Sequence, residues 1–153
     1  MASTANEILL TASKDKDEAD VLRTVQEFIG CIAEGDKASM LTSILPDGGA
    51  TLHRPPHIMH MNLEAAVNRI PLDGSMGQLE QRIHDTRVMV ADEIAMVWMP
   101  NEFYVNGKIA HEGISITSLL KVDGKWLISG SVDSCIKMVT SEVNHPTEHK
   151  HIH

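Results

Sequence analysis

A carboxylate and an imidazole are predicted to meet across a β-hairpin in the second half of the chain. Asn106-Gly107 is a dipeptide typical of a two-residue type I′ turn, because both central residues of that turn need positive φ. Such a turn pairs Glu102 with His111 at a non-hydrogen-bonded position, with Cβ atoms about 4.5–5.5 Å apart. A carboxylate that holds one ring nitrogen raises the imidazole pKa and leaves the other nitrogen for proton transfer. The pair predicts a general base, His111, oriented by Glu102; the alternative is a pair that only stabilises the sheet.

The same register predicts a sheet face that mixes polar and large apolar side chains. Extended through a second type I′ dipeptide, Asp123-Gly124, it places on one face Trp98, Glu102, Tyr104, His111, Ser115, Thr117, Leu119, Trp126 and Ile128. Apolar walls with a few converging polar groups are typical of a ligand cavity. We predict a third catalytic residue, Tyr104, as a hydrogen-bond donor to a substrate oxygen, with simple packing as its alternative. The substrate-binding residues predicted on this face are Trp98, Ser115, Thr117 and Trp126.

A β-bulge would change which residues share that face. Pro100 indicates that its strand could bulge, which would shift the alternation on one side of the proline. Asp133 lies on the opposite face by strict alternation, and only a bulge would bring it inward.

A histidine-rich segment, LHRPPHIMHM, precedes these strands. It contains three histidines, His53, His57 and His60, and histidine is a common zinc ligand. However, Pro55-Pro56 interrupts any helix that would align them, and no cysteine or acidic residue accompanies them. We therefore predict no metal site, and expect His53 or Arg54 to reach over the mouth of the cavity and bind substrate.

The elements that must position these residues are helices first and strands second. Apolar spacing predicts a helix over 17–34, and capping residues predict helices over 37–45 and 63–70. A turn at 46–49 leads to a short strand at 50–54, and four antiparallel strands follow at 82–91, 94–105, 109–122 and 125–136. This order is typical of an α+β domain, with helices packed on one face of a strongly curved antiparallel sheet that encloses a cavity. We expect one domain over 15–139, with flexible arms at 1–14 and 140–153.

Composition excludes several functional classes. The chain has 153 residues, 42% of them hydrophobic, and a formal net charge of -8, so a nucleic acid or an anionic membrane is not an expected partner. No apolar stretch reaches the roughly 20 residues that span a bilayer, and the N-terminus does not resemble a signal peptide. Cys31 and Cys135 have no metal or redox spacing, which favours reduced thiols in a cytoplasmic protein.

The stretch AMVWMPNEFYVNGKIAHEGISITSLLKVDGKWLISGSVDS resembles the C-terminal half of SnoaL-like and lumazine-binding-like proteins of the nuclear-transport-factor-2-like superfamily. Those proteins tend to show Trp-x-Pro-x-x-Phe-Tyr, a Gly-Lys turn, His-x-Gly and Leu-x-Lys-x-Asp-Gly-x-Trp-x-Ile. LPDGGATLHRPP also resembles their segment after the second helix, so the likeness spans roughly 17–136. It implies a cone-shaped fold, and relatives include dehydratases, isomerases, polyketide cyclases and proteins that only bind partners. His111 occupies the His-x-Gly position, whereas the first helix lacks the Tyr of dehydratase and steroid isomerase sites.

These observations predict a cofactor-independent isomerase, cyclase or dehydratase. Its substrate would be a small apolar oxygenated metabolite of polyketide or terpenoid type, bound in the cone and changed by acid–base chemistry. The alternative is a non-catalytic ligand-binding protein or a dimeric scaffold, and an open cavity of several hundred cubic ångströms would favour the enzyme. We also predict a homodimer formed through the convex sheet face, which carries Ala110, Ile114, Ile116, Ser118, Leu120 and Leu127.

Overall fold

Three helices and seven strands make up the part of the chain that the computed structural model describes, residues 4–138, without the side chains of residue 6 and residues 8–12. Their order is α1 Ala5–Glu34, α2 Lys37–Thr42, β1 Ile44–Arg54, β2 His57–Asn62, α3 Leu63–Asn68, β3 Leu79–Ile83, β4 Arg87–Ala91, β5 Ile94–Val105, β6 Lys108–Val122 and β7 Lys125–Met138. Helices before a meander of strands confirm the predicted α+β class. Within the described residues, no helix is long and apolar enough to cross a membrane.

The first helix is longer than its apolar pattern predicts. It begins at Ala5 because Thr4 and Glu7 form a reciprocal capping box, which satisfies backbone N–H groups at the helix start. The helix therefore runs through most of the segment predicted as an N-terminal arm, whereas the predicted arm at 140–153 lies outside the described residues. Gly35, with φ 68°, ends the helix in the left-handed conformation that glycine adopts without strain.

All seven strands form one sheet, in the order β2-β1-β7-β6-β5-β3, with β4 also pairing with β5. The pairing of β1 with β7 is parallel and all others are antiparallel. The single strand predicted over 82–91 is two strands, and each pairs with a different half of β5. The short strand predicted at 50–54 is the end of the longer β1, and the histidine-rich segment continues into β2.

Two bulges overturn the register predicted from the hairpin turns. Next to the first turn Tyr104 pairs with Ile109 as predicted, but Ala110 is then an extra residue, so His111 faces Phe103 instead of Glu102. A slip of one residue moves a whole stretch of one strand to the other face of the sheet relative to its partner. Trp98, Glu102 and Tyr104 therefore lie on the outer, convex face, and not beside His111.

The second bulge has the opposite effect on the site. Leu119 pairs with Ile128 as predicted, but Ser129 is an extra residue, and beyond it Ser115 faces Asp133 instead of Val132. This bulge turns Asp133 toward the inner face, whereas strict alternation of side chains predicts it on the outer face.

The hydrophobic core lies between α1 and the inner face of the sheet. Val21 and Val25 of α1 are almost fully buried against Val97, Leu119 and Ile128. The rest of the inner face, toward the ends of β1 and β7, is not filled by core side chains, and this is where the cavity lies.

Candidate functional site

A cavity of about 290 Å³ lies between the inner face of the sheet and the helices α1 and α3. Its walls are mainly apolar, and α1 contributes Val25, Phe28, Ile29 and Ile32. The polar residues that line it are Arg54, Arg69, Gln81, His111, Ser115, Thr117, Ser131 and Asp133. A mostly apolar cavity with a few polar groups suits a small molecule with an apolar body and a few oxygen atoms.

A hydrogen-bonded chain of four side chains crosses the cavity wall. Arg54 Nη2 donates to Asp133 Oδ2 at 2.5 Å, and Ser115 Oγ donates to Asp133 Oδ1 at 2.7 Å. Behind them Asn101, only 2% exposed, donates from Nδ2 to Ser115 Oγ at 3.0 Å and to the Met99 carbonyl at 3.1 Å. Because each group is fixed by the next, the Asp133 carboxylate and the Arg54 guanidinium are held in place before a ligand binds.

His111 is the polar side chain with the most unusual surroundings. Its ring stacks on Phe103 with centroids 5.1 Å apart and an interplanar angle of 1°. Its Nδ1 atom is buried and has no hydrogen-bond partner among the described residues. Burial and the positive charge of Arg54 lower the pKa of His111, and the charge of Asp133 opposes them. The imidazole is therefore neutral at pH 7 and can accept a proton.

The two predicted partners of His111 lie on the other face of the sheet. Glu102 Oε2 accepts a hydrogen bond of 3.2 Å from Tyr104 Oη, and its other oxygen lies 3.8 Å from His84 Nδ1. The Arg82 guanidinium carbon lies 4.1 Å from the centre of the Tyr104 ring. These outer-face contacts leave neither residue on the cavity, so the prediction that Glu102 orients His111 is wrong. The bulge at Ala110 is the physical reason.

Three predicted substrate-binding residues also lie away from the cavity. Trp98 is on the outer face and 37% exposed. Trp126 is buried in the core, and its Nε1 donates to Asp17 Oδ1 of α1 at 3.4 Å. His53 lies on the opposite side of β1 from Arg54, with its Nδ1 3.1 Å from Ser134 Oγ. Their predicted positions in the cavity are corrected accordingly.

Ser115, Thr117 and Arg54 do line the cavity, as their predicted roles require. Their roles in binding stay predictions. The polar residues of the site that sequence reasoning missed are Asp133, Asn101, Gln81, Arg69 and Ser131. The only available signal was the condition attached to Asp133, that a bulge would turn it inward.

In the described part of the chain, the histidines of the histidine-rich segment do not lie together with other side chains that could bind a metal ion. His57 and His60 are exposed on β2, and His60 Nδ1 lies 3.0 Å from Thr51 Oγ1. The group of three such side chains found among the described residues, Cys31, Glu34 and Asp36, lies outside the cavity. Burial and nearby carboxylates raise the pKa of the Cys31 thiol, which disfavours the thiolate that a metal needs.

Several solved structures share this architecture. An NTF2-like protein with a cystatin-like fold from Novosphingobium aromaticivorans is 11% identical, with a TM-score of 0.72 over 90% of this chain and 93% of that chain. A candidate scytalone dehydratase from the same species is 12% identical, with a TM-score of 0.68 over 83% and 89%. A candidate dehydratase of the NTF2-like family from Streptomyces avermitilis is 13% identical, with a TM-score of 0.66 over 80% and 98%. No protein-family model and no curated protein matches the sequence.

Proposed function

The chain has the nuclear-transport-factor-2-like fold, and we propose that it is a cofactor-independent enzyme that moves protons on a small apolar oxygenated molecule. Isomerisation, cyclisation and dehydration belong to this class of reaction. One observation carries the proposal: a half-buried, neutral imidazole, His111, lines an apolar cavity beside a fixed Arg54–Asp133 ion pair. Two of the structural relatives are described as candidate dehydratases, which agrees with a reaction of this class.

The first step that this geometry supports is removal of a proton by His111. A neutral ring nitrogen accepts a proton from a substrate carbon next to a carbonyl group, and the electron pair of the broken C–H bond moves to the carbonyl oxygen. The oxygen becomes negative, and an N–H group of Arg54 that is not bonded to Asp133 is the donor best suited to stabilise it. The apolar walls exclude water and so strengthen this interaction.

The second step returns the proton. The imidazolium donates it to a different carbon of the substrate, which completes an isomerisation, or to a departing hydroxyl group, which leaves as water and completes a dehydration. Arg54 has a second role here, because its charge disfavours the imidazolium and so favours return of the proton. Asp133 holds Arg54 in place, and its negative charge opposes the effect of Arg54 on the pKa of His111.

Hydrogen–deuterium exchange tests this proposal without knowledge of the natural substrate. The probe is 2-tetralone, an apolar bicyclic ketone, whose exchange of acidic C–H protons in D2O is followed by NMR. We expect the protein to accelerate exchange and His111→Ala to reduce that acceleration by about 100-fold, the usual contribution of a positioned base. Glu102→Gln and Tyr104→Phe are matched controls, and should retain the activity because both side chains lie on the outer face.

Binding without chemistry is the alternative, and the same assay separates the two. The polar groups of the wall already bond to one another, as in a rigid binding pocket that only holds a ligand. If 2-tetralone binds but exchanges no faster than in the His111→Ala variant, the protein binds ligands without turnover and the proposed enzyme is wrong.

A further inference from the structure

Arg69 is a charged residue of the cavity lining that the proposed mechanism does not use. It is the C-cap residue of α3, its side chain is exposed, and it also lines the cavity. No hydrogen bond or ion pair joins its guanidinium to any described residue. Long basic side chains commonly lay their aliphatic part along an apolar surface and keep the charged end at its edge. This arrangement places a positive charge at the cavity mouth.

The remaining charges of the cavity leave that positive charge uncompensated. Arg54 and Asp133 neutralise each other in an ion pair, and His111 is neutral. Among the described lining residues, the charge of Arg69 is therefore unbalanced, in a protein whose overall formal charge is -8. A local cation at the mouth of a cavity attracts an anion to that position, and in a protein of net negative charge it makes that position the favourable one for an anion.

The local structure does not need the charge of Arg69. A cation near a helix C-terminus can satisfy the last carbonyl groups, but at α3 Lys37 does this, since its Nζ donates to the Asn68 carbonyl at 3.2 Å. The guanidinium of Arg69 therefore remains available for a ligand.

We propose, on the basis of the proposed function above, that the substrate is a monoanion with an apolar body and one carboxylate, and that Arg69 binds the carboxylate. A guanidinium matches a carboxylate because two parallel N–H groups can donate to its two oxygens. One unbalanced positive charge matches one carboxylate better than a phosphate monoester, which carries about -1.5 to -2 at pH 7. The apolar body occupies the cavity, where His111 and Arg54 act on it.

Calorimetric titration with two isosteric probes tests the assignment. The probes are 2-naphthoate and 2-naphthamide, which share the apolar body and differ in charge. We expect the wild-type protein to bind the carboxylate about tenfold more tightly, the effect of one charge-assisted contact. Arg69→Gln should bring the two affinities within about twofold of each other. The preference of the wild-type protein for the carboxylate should decrease when the NaCl concentration is raised from about 0.05 to about 0.5 M. Arg87→Gln, which removes an exposed arginine of β4 outside the cavity, is the matched control and should keep the preference.

Three results would overturn the proposal: equal affinity for both probes, no binding of either probe, or a preference that survives Arg69→Gln. Calorimetry requires no turnover, so its outcome is independent of the exchange assay. A preference that depends on Arg69, together with no exchange of 2-tetralone, would retain the anion site and reject the proposed enzyme. Exchange that depends on His111, with no preference between the two calorimetric probes, would support the proposed enzyme and reject the anion site.

Discussion

Ser115 and Asp133 face each other across β6 and β7, and Ser115 Oγ donates a hydrogen bond of 2.7 Å to Asp133 Oδ1. The contact exists because Ser129 is an extra residue in β7, which turns Asp133 from the outer to the inner face. Once inside, the carboxylate binds Arg54 and its charge acts on His111. A single bulge thus joins three strands, β1, β6 and β7, into one polar site.

Removing the charge of Asp133 should lower the pKa of His111 further. Asp133 raises that pKa and Arg54 lowers it, so Asp133→Asn leaves the effect of Arg54 unopposed. The variant should also lose about 1–2 kcal/mol of unfolding free energy, because Arg54 loses its partner in a partly buried ion pair. NMR titration of the His111 ring protons measures the first effect and urea denaturation the second. Glu102→Gln should leave the His111 titration unchanged, and an unshifted His111 in Asp133→Asn would contradict the assignment.

His111 should make the folded protein less stable in acid. Its pKa in the folded state lies below the ordinary value of 6.5, whereas the unfolded chain takes up the proton near 6.5. Below about pH 6.5 the unfolded state therefore binds more protons, and the unfolding free energy falls as the pH decreases. Urea denaturation between about pH 5 and 8 should show this slope in the wild type and a shallower one in His111→Phe, whose ring cannot titrate. Identical slopes in the two proteins would exclude a titrating, buried His111.

A methyl group at Gly113 should disrupt the strand that carries both His111 and Ser115. A Cβ atom there would lie 2.3 Å from the Ser134 carbonyl oxygen, a backbone atom that cannot move alone. Gly113→Ala should therefore cost about 1–3 kcal/mol of unfolding free energy and reduce ligand binding through displaced strands. Gly30→Ala is the control, because a Cβ at this exposed helical position meets nothing within 4 Å. It should stabilise the protein by about 0.5–1 kcal/mol.

Local signals in the sequence predicted the two hairpin turns and the helix caps correctly, whereas the turn predicted at 46–49 is wrong because those residues belong to β1. The larger errors came from what lies beyond the hairpin turns. Asn106 and Asp123 have the positive φ of type I′ turns, at 51° and 50°, and the pairs next to both turns form as predicted. Asn62 caps α3 as predicted. The capping box at the start of α1 is also a sequence signal. Composition alone does not reveal it, and for that reason an arm is predicted there instead of a helix.

The bulges have no comparable signal. Ala110 and Ser129 are ordinary strand residues in sequence, and nothing in their residue types marks them as the extra residues of the two bulges. Since one extra residue exchanges the two faces, the fold was predictable while half of the site was not. His111 lies in the cavity, but its partner across the sheet is Phe103 instead of Glu102.

The outer face of the sheet should form a homodimer, and the observed register strengthens that prediction. The bulge at Ala110 places Trp98 opposite Ile116 and Met96 opposite Ser118, so two more large apolar side chains, 37% and 36% exposed, join the predicted face. Apolar surface of this kind is stabilised when a second copy covers it. Sedimentation velocity at micromolar concentration should show a dimer for the wild type and a monomer for Trp98→Glu, which would bury a charge in the contact. Met76→Glu, at a 61% exposed position between α3 and β3 and off the sheet, should remain dimeric, whereas a monomeric wild type would rule out this interface.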